Sequence, residues 1–260
     1  MEMGLKGKVA LVTGSSRGIG RGIALALAAE GCDVMLTGRD TAALDETAAA
    51  IRKLGRRAGT AVLDLREKDA PAKLIEQVKR ELGGLDILVN NAGATKRGDF
   101  LELTDADWED GYALKFFGHM RLARAAWPLL KEHHGSLISI GGTGARKPTA
   151  QFTIGSSVNC AVAAFTKCLA DRGKADGVQV NCIHPSVVET DRTRRRIKAG
   201  MANSGKSEQD IREGILREFG TIRFGTVEDV GDLVTFIVSS RASWLHGATI
   251  DLDGGEIPVL

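Results

Sequence analysis

The chain has 260 residues, 43% of them hydrophobic and 26% charged, with 35 basic against 33 acidic side chains. That composition is ordinary for a globular protein with a full core. The net charge of +2 gives no global reason to expect nucleic acid or a membrane surface as partner, and no uninterrupted apolar run approaches the roughly 20 residues of a membrane helix.

Residues 1–8 carry no apolar signal core and lead straight into an apolar run, 9–12, that reads as a buried strand. Gly14, Gly18 and Gly20 follow, then an alanine-rich helix over 23–30. A strand, a glycine turn and a helix in that order make a dinucleotide-phosphate site. Glycine lets the backbone turn tightly and lets a pyrophosphate come close, and the helix N-terminus offers free N–H groups and a positive dipole end. A tight turn that binds nothing is the plain alternative. Further strands are expected over 33–37, 59–63, 85–89, 136–140, 178–183 and 248–252, and helices over 41–54, 67–82, 153–170 and 227–239. Thr104 and Asp107 form a capping box that opens a long helix through Pro128 to about 131. Residues 190–219 are basic and polar, and read as helical in pieces.

Strands alternating with helices predict a parallel sheet covered on both faces. No linker, low-complexity tract or repeat divides the chain, so residues 1–260 are expected to form one α/β domain with seven strands. Ligands of such sheets sit beyond the carboxyl ends of the strands. The tips to inspect are therefore 14–20, 38–39, 64–65, 90–93, 141–144 and 185–190. Cys32, Cys160, Cys168 and Cys182 lack metal-type or CxxC spacing and are expected to be free, mostly core thiols in a reducing cytosol, with no metal site.

Thr13-Gly-Ser-Ser-Arg-Gly-Ile-Gly20, Asp64-Leu65, Asn90-Asn-Ala-Gly93, Pro185 with Thr190, and Asp253-Gly-Gly255 together form a specific set. On these residues the chain resembles the short-chain dehydrogenase/reductase family over nearly its whole length. The resemblance implies a Rossmann-like, doubly wound fold, a nicotinamide dinucleotide, a small carbonyl or alcohol substrate, a cytoplasmic setting and a homotetramer or homodimer. It implies that Gly14, Ser16, Arg17, Gly18, Ile19 and Gly20 surround the phosphates. It further places Asp64 and Leu65 at the adenine, Asn91, Ala92 and Gly93 on the adenosine ribose side, and Pro185 and Thr190 toward the nicotinamide. Ser186 departs from the family's usual Pro-Gly.

The family's chemistry uses a tyrosine as proton donor, a lysine one helical turn later, a serine that holds the substrate oxygen, and an asparagine that anchors a relay water. Counted from Phe165–Ala170, the tyrosine position holds Gly155, the lysine position Asn159 and the serine position Gly142. Counted from Trp108, the asparagine position holds Lys115. Tyr112 is the only tyrosine in the chain, and Phe116 lies four residues on. The site has either decayed or been rebuilt with lysine and asparagine exchanged. In the rebuilt site Lys115 supplies the cation or is itself the proton donor. Tyr112 would then share its face, one turn earlier. Thr143 and Ser156 are candidate hydroxyl donors, and His184 is a candidate acid.

Gly38 stands where an acidic residue would select NAD, and Arg39 follows it, with Arg17 as a second cation. Two arginines and no carboxylate at that point favour NADP(H) over NAD(H), though Asp40, one residue on, can partly offset Arg39. The run Arg192, Arg194, Arg195, Arg196 and Lys198 falls in the family's flexible substrate lobe, 190–222 here. It reads as a solvated helix face or as a binding surface for an anionic substrate. Gly200 and Gly205 are expected to let it bend. Two further functions stay open: a non-catalytic NADP(H)-binding sensor acting through its oligomer or partners, and a non-redox enzyme that reuses the pocket.

Overall fold

Residues 2–258 are described in a computed structural model. Seven strands form one parallel sheet in the order β3-β2-β1-β4-β5-β6-β7. They are β1 (Val9–Thr13), β2 (Asp33–Gly38), β3 (Ala58–Val62), β4 (Ile87–Asn90), β5 (Ser136–Ile140), β6 (Gln179–Pro185) and β7 (Thr249–Leu252). The strand order reverses at β1, which pairs in parallel with β2 on one side and β4 on the other, so a crevice opens between β1 and β4 at the strands' C-terminal ends. Both sheet faces are apolar. Ala10 and Val12 face one layer and Val9 and Leu11 the other, as a strand's two-residue period requires when helices cover both sides.

Helices α1 (Gly18–Ala29) and α2 (Thr41–Lys53) pack on the first face together with α9 (Val227–Ile237). The α1–α9 approach is close: a methyl group on Gly22 would lie 2.7 Å from Val227 Cβ, and one on Gly231 2.9 Å from Ala26 Cβ. The second face carries α3 (Ala70–Leu82), α5 (His119–Glu132) and α6 (Thr153–Asp176). Helix α4 (Asp105–Tyr112) opens on the Thr104–Asp107 capping box. It runs through a π turn, Ala113–Gly118, directly into α5. Helices α7 (Asp191–Ser204) and α8 (Glu208–Phe219) fill the basic segment. They close over Ile197, Ile215 and Phe224.

Several boundaries differ from the sequence reading. Helix α1 starts at Gly18 rather than 23, because its glycines fit close backbone contacts instead of breaking the helix. Helix α3 starts at Ala70, with Pro71 in its first turn, where a missing N–H is harmless. Helix α6 runs on to Asp176 and stops at Gly177, whose left-handed conformation (φ 70°) closes it. Gly200 sits inside α7 against Ile211, and Gly205, at φ 67°, ends that helix. By length and composition alone, residues 150–176 satisfy a membrane-helix test. They are a core helix here, with Ile154, Val158 and Val162 buried. Of the four free cysteines only Cys32 and Cys182 are buried; Cys160 and Cys168 are exposed on α6, because they lie on its solvent side.

Candidate active site

The glycine loop between β1 and α1 forms a tight cradle. Gly14 and Gly18 adopt positive φ (63° and 56°). A methyl group on Gly20 would lie 2.3 Å from the Gly14 carbonyl oxygen, so only glycine fits. No side chain caps the N-terminus of α1, whereas Asp40, Thr104, Ser207 and Thr226 cap α2, α4, α8 and α9. The first N–H groups of α1 thus stay available to an anion. The β4 tip is fastened beside this cradle. Thr13 Oγ1 accepts from the Asn91 and Ala92 N–H groups (2.8 and 2.9 Å), and Asn91 Nδ2 donates to the Thr13 carbonyl at 2.8 Å. Ser15 and Ser16 close the loop's other side: Ser15 Oγ accepts from Thr37 N–H, and Ser16 Oγ lies 3.4 Å from a methyl placed on Gly38. Ile19 packs against the core. Thr190 Cγ2 approaches to 3.5 Å from a methyl placed on Gly18, so the β6 tip reaches over the loop.

The cations of the adenosine end are already paired. Arg17 bonds Asp40, the N-cap of α2, and Arg39 lies 3.5 Å from Asp64. Asp40 thus offsets Arg17 and not Arg39, as capping α2 turns its carboxylate toward the loop. Asp64 also accepts from Arg66, whose other partner is Asp110 on α4. Despite partial burial, which opposes it, these arginines hold the Asp64 carboxyl below its ordinary range.

Across the crevice, polar groups gather around the tips of β4, β5 and β6. Lys115, in the π turn, lays its stem over Gly93: a methyl there would lie 2.8 Å from Lys115 Cδ. Its Nζ donates to the Gly141 carbonyl at 2.8 Å. Burial, and then the nearby Arg192 charge, lower its pKa from 10.5 to about 8. Asn159 on α6 sits next to Gly142, where a methyl would come within 2.9 Å of Asn159 Nδ2. Ser156 Oγ and Asn159 Oδ1 are buried and have no hydrogen-bond partner among the described residues. Thr143 is buried in the turn after β5, and its carbonyl accepts from the Arg146 and Lys147 N–H groups.

Two expected members of the cluster are placed differently. Tyr112 packs with Trp108 and Phe116 on Ile154, Val158 and Val162 and does not join Lys115. The π turn that begins after it winds more loosely than an α-helix, so Lys115 is swung off the Tyr112 face. His184 is wholly buried, and its Nδ1 accepts from the Gly142 N–H at 2.9 Å. The ring proton therefore sits on Nε2, which has no partner among the described residues. Burial, Lys115 and Arg146 lower the pKa of His184 to about 4. It is a neutral hydrogen-bond donor at pH 7 and not an acid.

Four site residues carry no clear sequence signal. His119 is buried, with its pKa lowered to about 3 by burial, and its Nε2 bonds the Ala92 carbonyl at 2.8 Å, bracing the β4 tip. Phe152 fills the space over Gly155, where a methyl would lie 2.0 Å from its ring. The Arg97 guanidinium stacks on that ring at 3.9 Å. Glu256 is buried, accepts from Ser186 Oγ at 2.5 Å and faces Lys147 at 3.9 Å. This pairing ties the chain after Pro185 to the C-terminal segment. Among the described residues no group of three His, Cys, Asp or Glu side chains could hold a metal.

A family model described as short chain dehydrogenase matches residues 8–200. The chain belongs to this family. It is an oxidoreductase by that membership. The chain is 33% identical to the 3-oxoacyl-[acyl-carrier-protein] reductase FabG of Escherichia coli (strain K12), over 97% of this chain and 98% of that protein. It is 32% identical to the 2-dehydro-3-deoxy-D-gluconate 5-dehydrogenase of Dickeya dadantii, over 96% of each. Among solved structures, the L-sorbose reductase of Gluconobacter frateurii, complexed with NADPH and L-sorbose, matches all of both chains with a TM-score of 0.96 at 31% identity. The short-chain dehydrogenase fold is thus the fold described above.

Proposed function

We propose that this short-chain dehydrogenase interconverts a carbonyl and an alcohol with NADP(H), and that Lys115 takes the place of the family's tyrosine as proton donor. The observation that carries the reading is the convergence of the glycine cradle with Lys115 and Asn159 at the sheet's switch point. The cradle fits a nicotinamide dinucleotide. Gly14, Gly18 and Gly20 leave room for the pyrophosphate, the uncapped α1 offers N–H groups to it, and the Asn91–Gly93 tip borders the ribose side. Exposed Arg39, with no carboxylate at Gly38, favours the 2′-phosphate of NADP(H) once it turns from Asp64. The NADPH-bound sorbose reductase supports the same choice.

When bound, the cofactor supplies or accepts the hydride. The side chains here have the remaining work. Reduction puts negative charge on the substrate oxygen, which needs a donor and a proton. Asn159 Nδ2 fills the space at Gly142 where the family has a serine, and it donates to that oxygen in our reading. Lys115 Nζ gives the proton and leaves as the neutral amine, and the reverse holds for alcohol oxidation. A pKa of about 8 suits both directions near neutral pH. The Phe152 ring fills the space above Gly155 and excludes water from the proton path. Exposed Trp244 and Phe236 support assembly with further copies of the chain.

Parallel fluorescence titrations with NADPH and NADH test the reading. NADPH is expected to bind more tightly, and Arg39→Ala to weaken it about tenfold with little change for NADH. Equal binding of both nucleotides would remove the NADP preference. Binding without carbonyl turnover would leave a nucleotide sensor instead.

A further inference from the structure

Arg97 stands apart from the other cations near the substrate side. It lies in the loop after β4, which is held to the start of α6 by the Gly98 N–H bonding the Gln151 carbonyl at 3.2 Å. Its guanidinium lies flat on Phe152, 3.9 Å from the ring centre, and Phe152 in turn lies on Gly155 and Gly144. Stacking fixes the plane of the guanidinium and leaves its N–H edge free. Arg97 forms no ion pair among the described residues, in contrast to Arg146 and Lys147, which face Asp251 and Glu256. Arg192 lies in the first turn of α7. Among the described residues its one hydrogen bond is a 3.4 Å contact to the Gly93 carbonyl. Burial, followed by the charges of Arg196 and Arg192, pushes the Arg97 pKa down.

The acids nearby do not balance these charges. Glu218 is held by Arg196 at 2.6 Å, and Glu256 by Ser186 and Lys147. Arg97 thus borders the site at Phe152 and Arg192 borders it at Gly93, each without a carboxylate of its own among the described residues. Like charges so placed repel unless an anion joins them. Arg offers a planar fork that matches carboxylate and phosphate oxygens.

We infer that Arg97 and Arg192 form a recognition site for an anionic group, a carboxylate or a phosphate, on the substrate whose carbonyl lies at Lys115 and Asn159. The inference rests on the carbonyl-reductase reading and adds the chemical class of its substrate. Phe152 serves as a platform: it fixes Arg97 on one side and covers Gly155 on the other. The distance between the anionic group and the reacting carbonyl is then set by the protein, so small neutral carbonyls are poor substrates.

The test is a calorimetric titration of the full chain, saturated with NADPH, with succinate, inorganic phosphate and neutral succinamide. Saturation keeps the anions off the glycine loop, and the titration is repeated without nucleotide. Succinate or phosphate is expected to bind at least tenfold more tightly than succinamide, with the tighter of the two identifying the group. Arg97→Gln and Arg192→Gln are each expected to weaken that binding about tenfold, and Lys53→Gln on α2 to leave it unchanged. Arg97→Lys keeps the charge but loses the planar stack, and is expected to fall between. Anions binding no better than succinamide, or unchanged in Arg97→Gln, would overturn the inference. The same variants are titrated with NADPH, whose affinity is expected to be unchanged in Arg97→Gln. Normal NADPH binding without the anion effect removes this inference alone. An Arg97-dependent anion effect without NADPH binding removes the reductase reading alone.

Discussion

Replacing Lys115 by methionine alters how stability depends on pH. The folded protein lowers the lysine pKa from 10.5 to about 8, first by burial and second through Arg192. Below pH 8 both the folded and the unfolded chain carry the proton, and the fold bears the full penalty of an enclosed ammonium. Between pH 8 and 10.5 the unfolded chain binds more protons, so this group makes stability rise with pH. The displacement corresponds to at most about 3 kcal/mol, and water reaching the partly exposed residue reduces this to roughly 1–3 kcal/mol. Methionine keeps the stem over Gly93 and has no charge to titrate. Urea unfolding of both proteins at pH 7, 8.5 and 10 therefore has a defined outcome. The advantage of Lys115→Met over the parent is expected to shrink by that amount as pH rises. The constant offset from the lost Gly141 bond cancels in the comparison. Parallel stability profiles would refute the claim that the fold depresses this amine.

Further expectations concern the cradle, the donor and the start of β2. Gly20→Ala forces a methyl to 2.3 Å from the Gly14 carbonyl, so NADPH affinity is expected to fall at least tenfold and stability by about 1–3 kcal/mol, read by titration and by melting. Asn159→Ala is expected to lower kcat by about 100-fold with little change in NADPH affinity, as for loss of an oxyanion donor. Unchanged kcat would remove Asn159 from the mechanism. Asp33 is buried and pairs with Arg56 and Arg57, each at 2.6 Å. Burial opposes, but the Arg57 bonds and both charges outweigh it and lower its pKa. Its contribution is present above the ordinary carboxylate pKa of 3.8 and is lost as pH falls below it. Asp33→Asn is therefore expected to cost about 3 kcal/mol at pH 7 and progressively less in acid, as measured by denaturant unfolding.

The sheet was legible because its information is local. Apolar runs and glycine turns mark β1 to β7 within a residue or two, and Thr104 with Asp107 marks the start of α4. The crevice followed from topology. Interactions across the chain were not legible. The pattern around Lys115 reads as ordinary helix, and the π turn that separates it from Tyr112 is seen only once α4 and α5 pack on α6. The two glycines that replace bulky polar residues read as losses. In space Asn159 and Phe152 fill the room beside them. Phe152 stands just ahead of α6, as its N-cap residue, and folds back over Gly155, which the sequence pattern does not show. His119 gave no signal and His184 was read as an acid, because the sequence does not tell whether a ring nitrogen meets a backbone group, as it does in both. The arginine run drew attention to α7, while Arg97, isolated in sequence, joins it only through the fold.

In the proposed mechanism Lys115 moves the proton during carbonyl reduction. The most direct measurement is the pH dependence of NADPH oxidation with a carbonyl substrate, for the parent chain and for Lys115→Gln. The parent rate of reduction is expected to hold to about pH 8 and to fall above it as the ammonium is lost. In Lys115→Gln the rate is expected to drop at least about 100-fold, and what remains to lose that alkaline limb. Turnover in Lys115→Gln at the parent rate, with the same pH profile, would show that Lys115 does not carry the proton.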